Sequence, residues 1–133
     1  MTIAKGTFEV KLSPQDADDK SAAPMVGRML IDKHFHGDLE AVSKGQMLTA
    51  GTAVKGSAAY VAIEHVSGIL GGRAGSFTLQ HCGSMHQGAS QLTINVVPDS
   101  GSGQLLGLVG KMSIEIADSK HSYSFEYSLT EAT

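Results

Sequence analysis

The sequence predicts an all-β fold, a single antiparallel up-and-down barrel of about eight strands built from residues 1–133 as one domain. Three observations carry that expectation. The segment "HSYSFEYSL" (121–129) alternates strictly, with His121, Tyr123, Phe125, Tyr127 and Leu129 on one side and Ser122, Ser124, Glu126 and Ser128 on the other. That is the period-two signature of a strand with one buried face. Other short runs rich in β-branched or aromatic residues follow one another with little but turn material between them. Finally, 16 glycines stand against 3 prolines and no tryptophan. Without a collagen-like period, that usage suits short strands, tight turns and bulges.

From the N-terminus, "GTFEVKL" (6–12) sets Phe8, Val10 and Leu12 opposite Glu9 and Lys11. The one longer connection, "SPQDADDKSAAP" (13–24), reads as an exposed loop. Strand-like runs then succeed each other: "MVGRMLIDKHFH", "LEAVSKGQMLTA", "SAAYVAIEHVSGIL", "RAGSFTLQHCGSM", "ASQLTINVV" and "LLGLVGKMSIEIA". Their separators are turn chemistry: "HGD", "GT" with "KG", "GG", "HQG", "PDSGSG" and "DSK". No internal stretch has a convincing helical period. Sequential strands with short turns favour a meander, and closure into a barrel removes its exposed edges. A β-sandwich is the competing architecture. An eight-stranded barrel can be filled by its own side chains or hold one small ligand.

The 133 residues suffice for one sizeable core, and 41% hydrophobic content is ordinary for a globular chain. The net charge of −3 is scattered, with no basic stripe to suggest nucleic acid or an anionic membrane. The opening "MTIAKGTFEV" lacks the apolar run of a signal peptide, and nothing approaches the roughly 20 apolar residues of a membrane span. One cysteine makes no internal disulfide and agrees with a reducing compartment. A cytoplasmic location is the expectation.

Several constellations invite a chemical interpretation. "HFHGDLE" offers His34, His36 and Glu40 in a His-x-His-x3-Glu spacing that resembles the first metal motif of cupins. A second cupin motif is missing, and His34 and His36 share a face with Arg28 and Asp32 while Met29, Ile31 and Phe35 occupy the other. The expectation is a solvated face and no metal or other cofactor. "GSGQLLG" looks like a phosphate loop but precedes a strand rather than a helix, so it is rejected. Cys82 has His81 and His86 nearby, but the adjacent His81 points to the opposite face. A lone cysteine is more often a small buried hydrophobe.

Glu64 and His65 are more informative. Whichever faces inward, the strand aims an ionisable group into the barrel. An inward Glu64 shares its face with Tyr60, Ala62 and Val66 and leaves His65 outside with Val61 and Ile63, in a surface suited to a subunit contact. A buried carboxylate must be hydrogen-bonded, paired or protonated. In "GSFTLQHCGSM", Phe77, Leu79, His81, Gly83 and Met85 share a face, and the "GG" turn makes this strand the antiparallel neighbour of the one carrying Glu64. A Glu64–His81 pair across them is either catalytic or a satisfied polar pair that fixes register.

"GTFEVKL", "FHGDLE", "EHVSGILGGRAGSFTLQHCG" and "VVPDSGSGQLLGLVG" together resemble a family of small bacterial proteins of unknown function. The resemblance implies a barrel of the allene oxide cyclase type, a calycin-like architecture. It transfers no catalytic role, since fold does not settle function. The leading functional expectation is a barrel that holds a small, largely apolar molecule. Glu64 and His81 would be its ionisable anchors, with Tyr60, Phe77, Tyr123 and Tyr127 around the ligand. Isomerisation or cyclisation without a cofactor, pure carriage, and a barrel filled by its own side chains all remain open. Apolar residues on both faces of "YVAI" and "LLGLVG" point to a homo-oligomer, a dimer first.

Overall fold

In the computed structural model, which describes residues 1–15 and 26–130, the chain forms nine strands and no helix among those residues. They are β1 (Thr2–Gln15), β2 (Val26–Gly37), β3 (Leu39–Gly51), β4 (Ala58–Leu70), β5 (Arg73–His86), β6 (Ala89–Val96), β7 (Ser102–Gly103), β8 (Leu108–Ala117) and β9 (Lys120–Leu129). The sheet order β4-β3-β2-β1-β9-β8-β6-β5 closes through a β4–β5 pairing. The result is an antiparallel barrel of 8 strands, with the two-residue β7 as an extra strand against Gly75 and Ser76 of β5. No helix among the described residues is long and apolar enough to cross a membrane.

Local chemistry explains the closure. The hairpin turns Gly71-Gly72, Gln87-Gly88 and Asp118-Ser119 have positive φ at both positions. That backbone twist matches the right-handed twist of the flanking strands. Alternation then sorts the side chains. Phe8, Phe35, Phe77 and Phe125 point inward and are buried, as are Leu39, Leu70, Leu79, Ile94 and Leu108. Phe77 stacks on Phe125 with centroids 5.7 Å apart, and Phe35 meets Tyr123 edge-on at 5.6 Å.

Two boundaries differ from expectation. β1 continues through Ser13 and Pro14 to Gln15, so the "SPQDADDKSAAP" loop begins later than its sequence suggests. Proline is tolerated there because β9 pairs with β1 only as far as Phe8, leaving the far half of β1 with β2 as its partner. The rest of that expected loop, from residue 16, lies outside the described residues. At the other site, Leu105 to Gly107 form a turn rather than the start of a strand, and β8 begins at Leu108. The turn is held by Leu105 N–H donating to the Ser102 carbonyl (3.0 Å) and Leu108 N–H to the Leu105 carbonyl (3.1 Å). It seats the Leu105 side chain in the core. Apolar side chains, Leu105 among them, are buried at that end of the barrel.

Candidate functional site

Glu64 is wholly shielded from solvent, and the polar part of the interior is built around it. Alternation along β4 sends Ala62, Glu64 and Val66 inward and leaves His65 exposed, 3.3 Å from Thr78 on the outer wall. On β5, Phe77, Leu79 and His81 face inward while Gln80 and Cys82 face out. The β4–β5 register pairs Ala62 with His81 and Glu64 with Leu79, so His81 sits diagonally across from Glu64. Its Nε2 lies 2.6 Å from Glu64 Oε1.

Two more groups complete the cluster. The Lys33 ammonium donates to Glu64 Oε1 at 2.9 Å, and the Ser43 hydroxyl donates to Oε2 at 2.6 Å. Lys33 also lies 5.1 Å from the Phe8 ring centroid and 5.7 Å from that of Phe35, a cation–π setting for a nearly buried charge. Sequence reasoning missed both residues. The signal was present for Lys33, which interrupts the inward face Met29, Ile31, Phe35 of "MVGRMLIDKHFH" with a charge. Ser43 follows Leu39 and Ala41 on the inner face of β3 in the same way. Among the described residues no buried side-chain polar atom lacks a partner.

Burial alone would push the Glu64 carboxyl up. The His81 hydrogen bond, the Lys33 charge and the Ser43 hydrogen bond outweigh it and hold the group at about 2. Glu64 is therefore ionised at neutral pH and can only accept hydrogen bonds. This fixes the tautomer of a neutral His81: Nε2 carries the proton given to Glu64, and Nδ1 presents its lone pair.

That lone pair meets Tyr60, whose hydroxyl lies 3.3 Å from His81 Nδ1. Burial, then the Glu64 charge and Cys82, push the Tyr60 phenol above its usual value, so it stays a neutral donor. Tyr60 also borders an open cavity of about 470 Å³ at the barrel end opposite the packed one. Met29, Met47, Met85, Gly83 and Leu92 share its lining. Glu64 and His81 are not part of that lining; they stand behind Tyr60.

The family whose description reads "Protein of unknown function (DUF3224)" matches residues 4–127, which is most of the barrel. The chain belongs to the DUF3224 family. It is similar to a crystal structure of a DUF3224 protein of unknown function from Shewanella oneidensis MR-1, at 51% identity and a TM-score of 0.94. The likeness covers 99% of each chain. No curated protein matches.

The remaining expected ligand residues of this DUF3224 barrel lie elsewhere. Phe77 and Tyr127 pack with Phe125 in the filled core, Tyr127 stacking on it at 5.4 Å. The Tyr123 hydroxyl accepts from Leu39 N–H (2.9 Å) and donates to the His36 carbonyl (2.9 Å), so it pins the β2–β3 turn. Of the four, Tyr60 alone borders the methionine-lined cavity. Cys82 is exposed on the outer wall, as the alternation opposite His81 implies. In this DUF3224 chain His34 and His36 also face outward, with Glu9 of β1 beside them.

Proposed function

We propose that this barrel binds one small, largely apolar molecule in its methionine-lined mouth and presents Tyr60 to it as a proton-transfer group. The observation that carries the reading is the position of Tyr60, which borders the cavity while hydrogen-bonding to His81 Nδ1. A cavity of about 470 Å³ is of the size that holds a small ligand. Methionine suits such a wall because its flexible thioether adapts to irregular apolar shapes.

The relay works as follows. A weakly acidic group of the ligand gives its proton to the Tyr60 oxygen as the Tyr60 proton passes to His81 Nδ1. The imidazolium so formed is flanked by the ionised Glu64, and Lys33 keeps that carboxylate paired. Returning the proton to another atom of the ligand completes an isomerisation or cyclisation with no change of oxidation state and no cofactor. Glu64 and His81 act through Tyr60 as positioning residues. A closed eight-stranded barrel of allene oxide cyclase or calycin type suits such chemistry, and we take the protein to be cytoplasmic.

A carrier would use the same cavity without the relay. The clean discriminator is Tyr60→Phe, which keeps the ring and removes the hydroxyl. Binding is tested with the fluorescent apolar probe 1-anilinonaphthalene-8-sulfonate and by native mass spectrometry of protein purified from its own host. Saturable probe binding that Met47→Trp abolishes supports the site, and binding untouched by filling the cavity removes it. For a molecule retained from the host, turnover lost in Tyr60→Phe identifies the relay. An unchanged molecule, bound equally by both forms, identifies a carrier.

A further inference from the structure

A second cluster lies on the outer wall, away from the barrel mouth. Among the described residues, Glu9, His34 and His36 form a set whose ligating atoms all lie within 4.8 Å of one another. We propose that these three side chains bind a divalent first-row transition ion such as zinc, with Glu40 holding His36 in place.

Strand geometry brings the donors together. His34 and His36 are two apart on β2 and therefore project from the same face, their rings stacked at 4.3 Å. Glu9 lies directly opposite His34 in the β1–β2 register. Its carboxylate reaches across to His36 Nε2, 3.1 Å from Oε1. The spacing "HFHGDLE" suggests Glu40 as the third ligand. The fold instead supplies Glu9, from a strand that the local motif could not reveal.

The distances suit a metal ion. Ligands about 2.0–2.1 Å from a tetrahedral zinc stand about 3.3 Å apart. The His36–Glu9 pair is already near that separation, and the exposed His34 offers a nitrogen within 4.8 Å of both. A cation at this point takes the place of the direct contact between His36 Nε2 and Glu9 Oε1.

Glu40 gives independent support. Its Oε1 accepts from Gly37 N–H at 2.8 Å, which fixes the carboxylate on the β2–β3 turn. Its Oε2 lies 3.8 Å from His36 Nδ1, on the side of the ring away from Glu9. Ligating histidines commonly turn their second nitrogen toward such a carboxylate. Asp32, the next acidic group along this face, is engaged by Lys44 at 3.2 Å and is not needed as a donor. Three protein donors leave at least one coordination position open to water or to a donor from another molecule.

Isothermal titration with zinc alone, on the full chain carrying Cys82→Ser to remove the exposed thiol, tests the proposal. One equivalent should bind. His36→Ala and His34→Ala should each abolish that event, and Glu9→Gln should weaken it strongly. Glu40→Gln, which keeps the acceptor for Gly37 N–H, should weaken binding by about tenfold. X-ray absorption at the zinc edge should show two imidazoles and a carboxylate oxygen in the first coordination sphere. Circular dichroism of each variant checks that the barrel is intact. Stoichiometric binding that survives in the folded His34→Ala/His36→Ala double variant overturns the site, and so does the absence of any one-to-one event.

Discussion

A side chain at position 83 would put its Cβ 2.6 Å from Cε1 of Tyr60. Gly83 pairs with Tyr60 across β4 and β5, and the space it leaves is filled by the phenol ring. The ring in turn carries its hydroxyl to His81 Nδ1. The glycine of "QHCGSM" thus serves the site by what it lacks.

Gly83→Ala should displace the Tyr60 ring and cost about 1–3 kcal/mol in overpacking. In a Tyr60→Ala background the obstruction is gone, so the same change should cost much less. Urea unfolding of the four proteins checks this, and strict additivity would separate the two residues.

Glu64→Gln should be strongly destabilising, by about 3–5 kcal/mol, although it preserves shape. The reason is Lys33, whose ammonium would keep its nearly buried place without the carboxylate that pairs it. Adding Lys33→Met removes the orphaned charge and should recover much of the loss. Chemical denaturation of the single and double variants decides it. This coupling is also why Tyr60→Phe, rather than a change at Glu64, tests the chemistry.

The architecture was legible because alternation is local. The face-sorting of "HSYSFEYSL" and the paired glycines after Leu70 need no knowledge of distant residues. The inward placement of His81 followed from its apolar neighbours Phe77 and Leu79, and its pairing with Glu64 from the short turn joining their strands. Lys33 and Ser43 were harder to see: Ser43 reaches Glu64 diagonally from the neighbouring β3, and Lys33 from β2, one strand further on, across registers that the local pattern does not give. Which end of the barrel is filled was not legible at all. It depends on Leu105, carried into the core by a turn whose apolar residues look like strand. Phe77, Tyr123 and Tyr127 belong to that buried core and lie away from the methionine-lined mouth.

Acid should weaken the fold through Glu64 in a defined window. Its value in the folded barrel, about 2, lies below the 4.5 of a free glutamate. The carboxylate contributes its full stabilisation above pH 4.5 and loses it as the pH falls toward 2, about 3 kcal/mol in all. Urea unfolding between those pH values should show stability falling in the native chain. The Lys33→Met/Glu64→Gln double variant should show a shallower fall. Equal slopes would assign the acid sensitivity to other carboxylates.

The last prediction concerns the outer wall formed by β2, β3 and β4. Val61 and Ile63 are 50% and 51% exposed, and Leu48 is 52% exposed. Leu48 lies opposite Val61, which is two residues from Ile63 on the same face of β4, so these three form an apolar group, while Gln46 separates Leu30 from Ile63. A patch of this kind on a small barrel is best covered by another copy of itself, through a two-fold contact in which each protomer offers the same wall. Light scattering at micromolar concentration should give twice the chain mass of 13.9 kDa. Because Ile63 points away from the core, Ile63→Lys should leave circular dichroism unchanged while halving that mass, by placing like charges across the two-fold axis. A monomeric native protein would remove the interface, and an Ile63→Lys variant that stays dimeric would move it to another face.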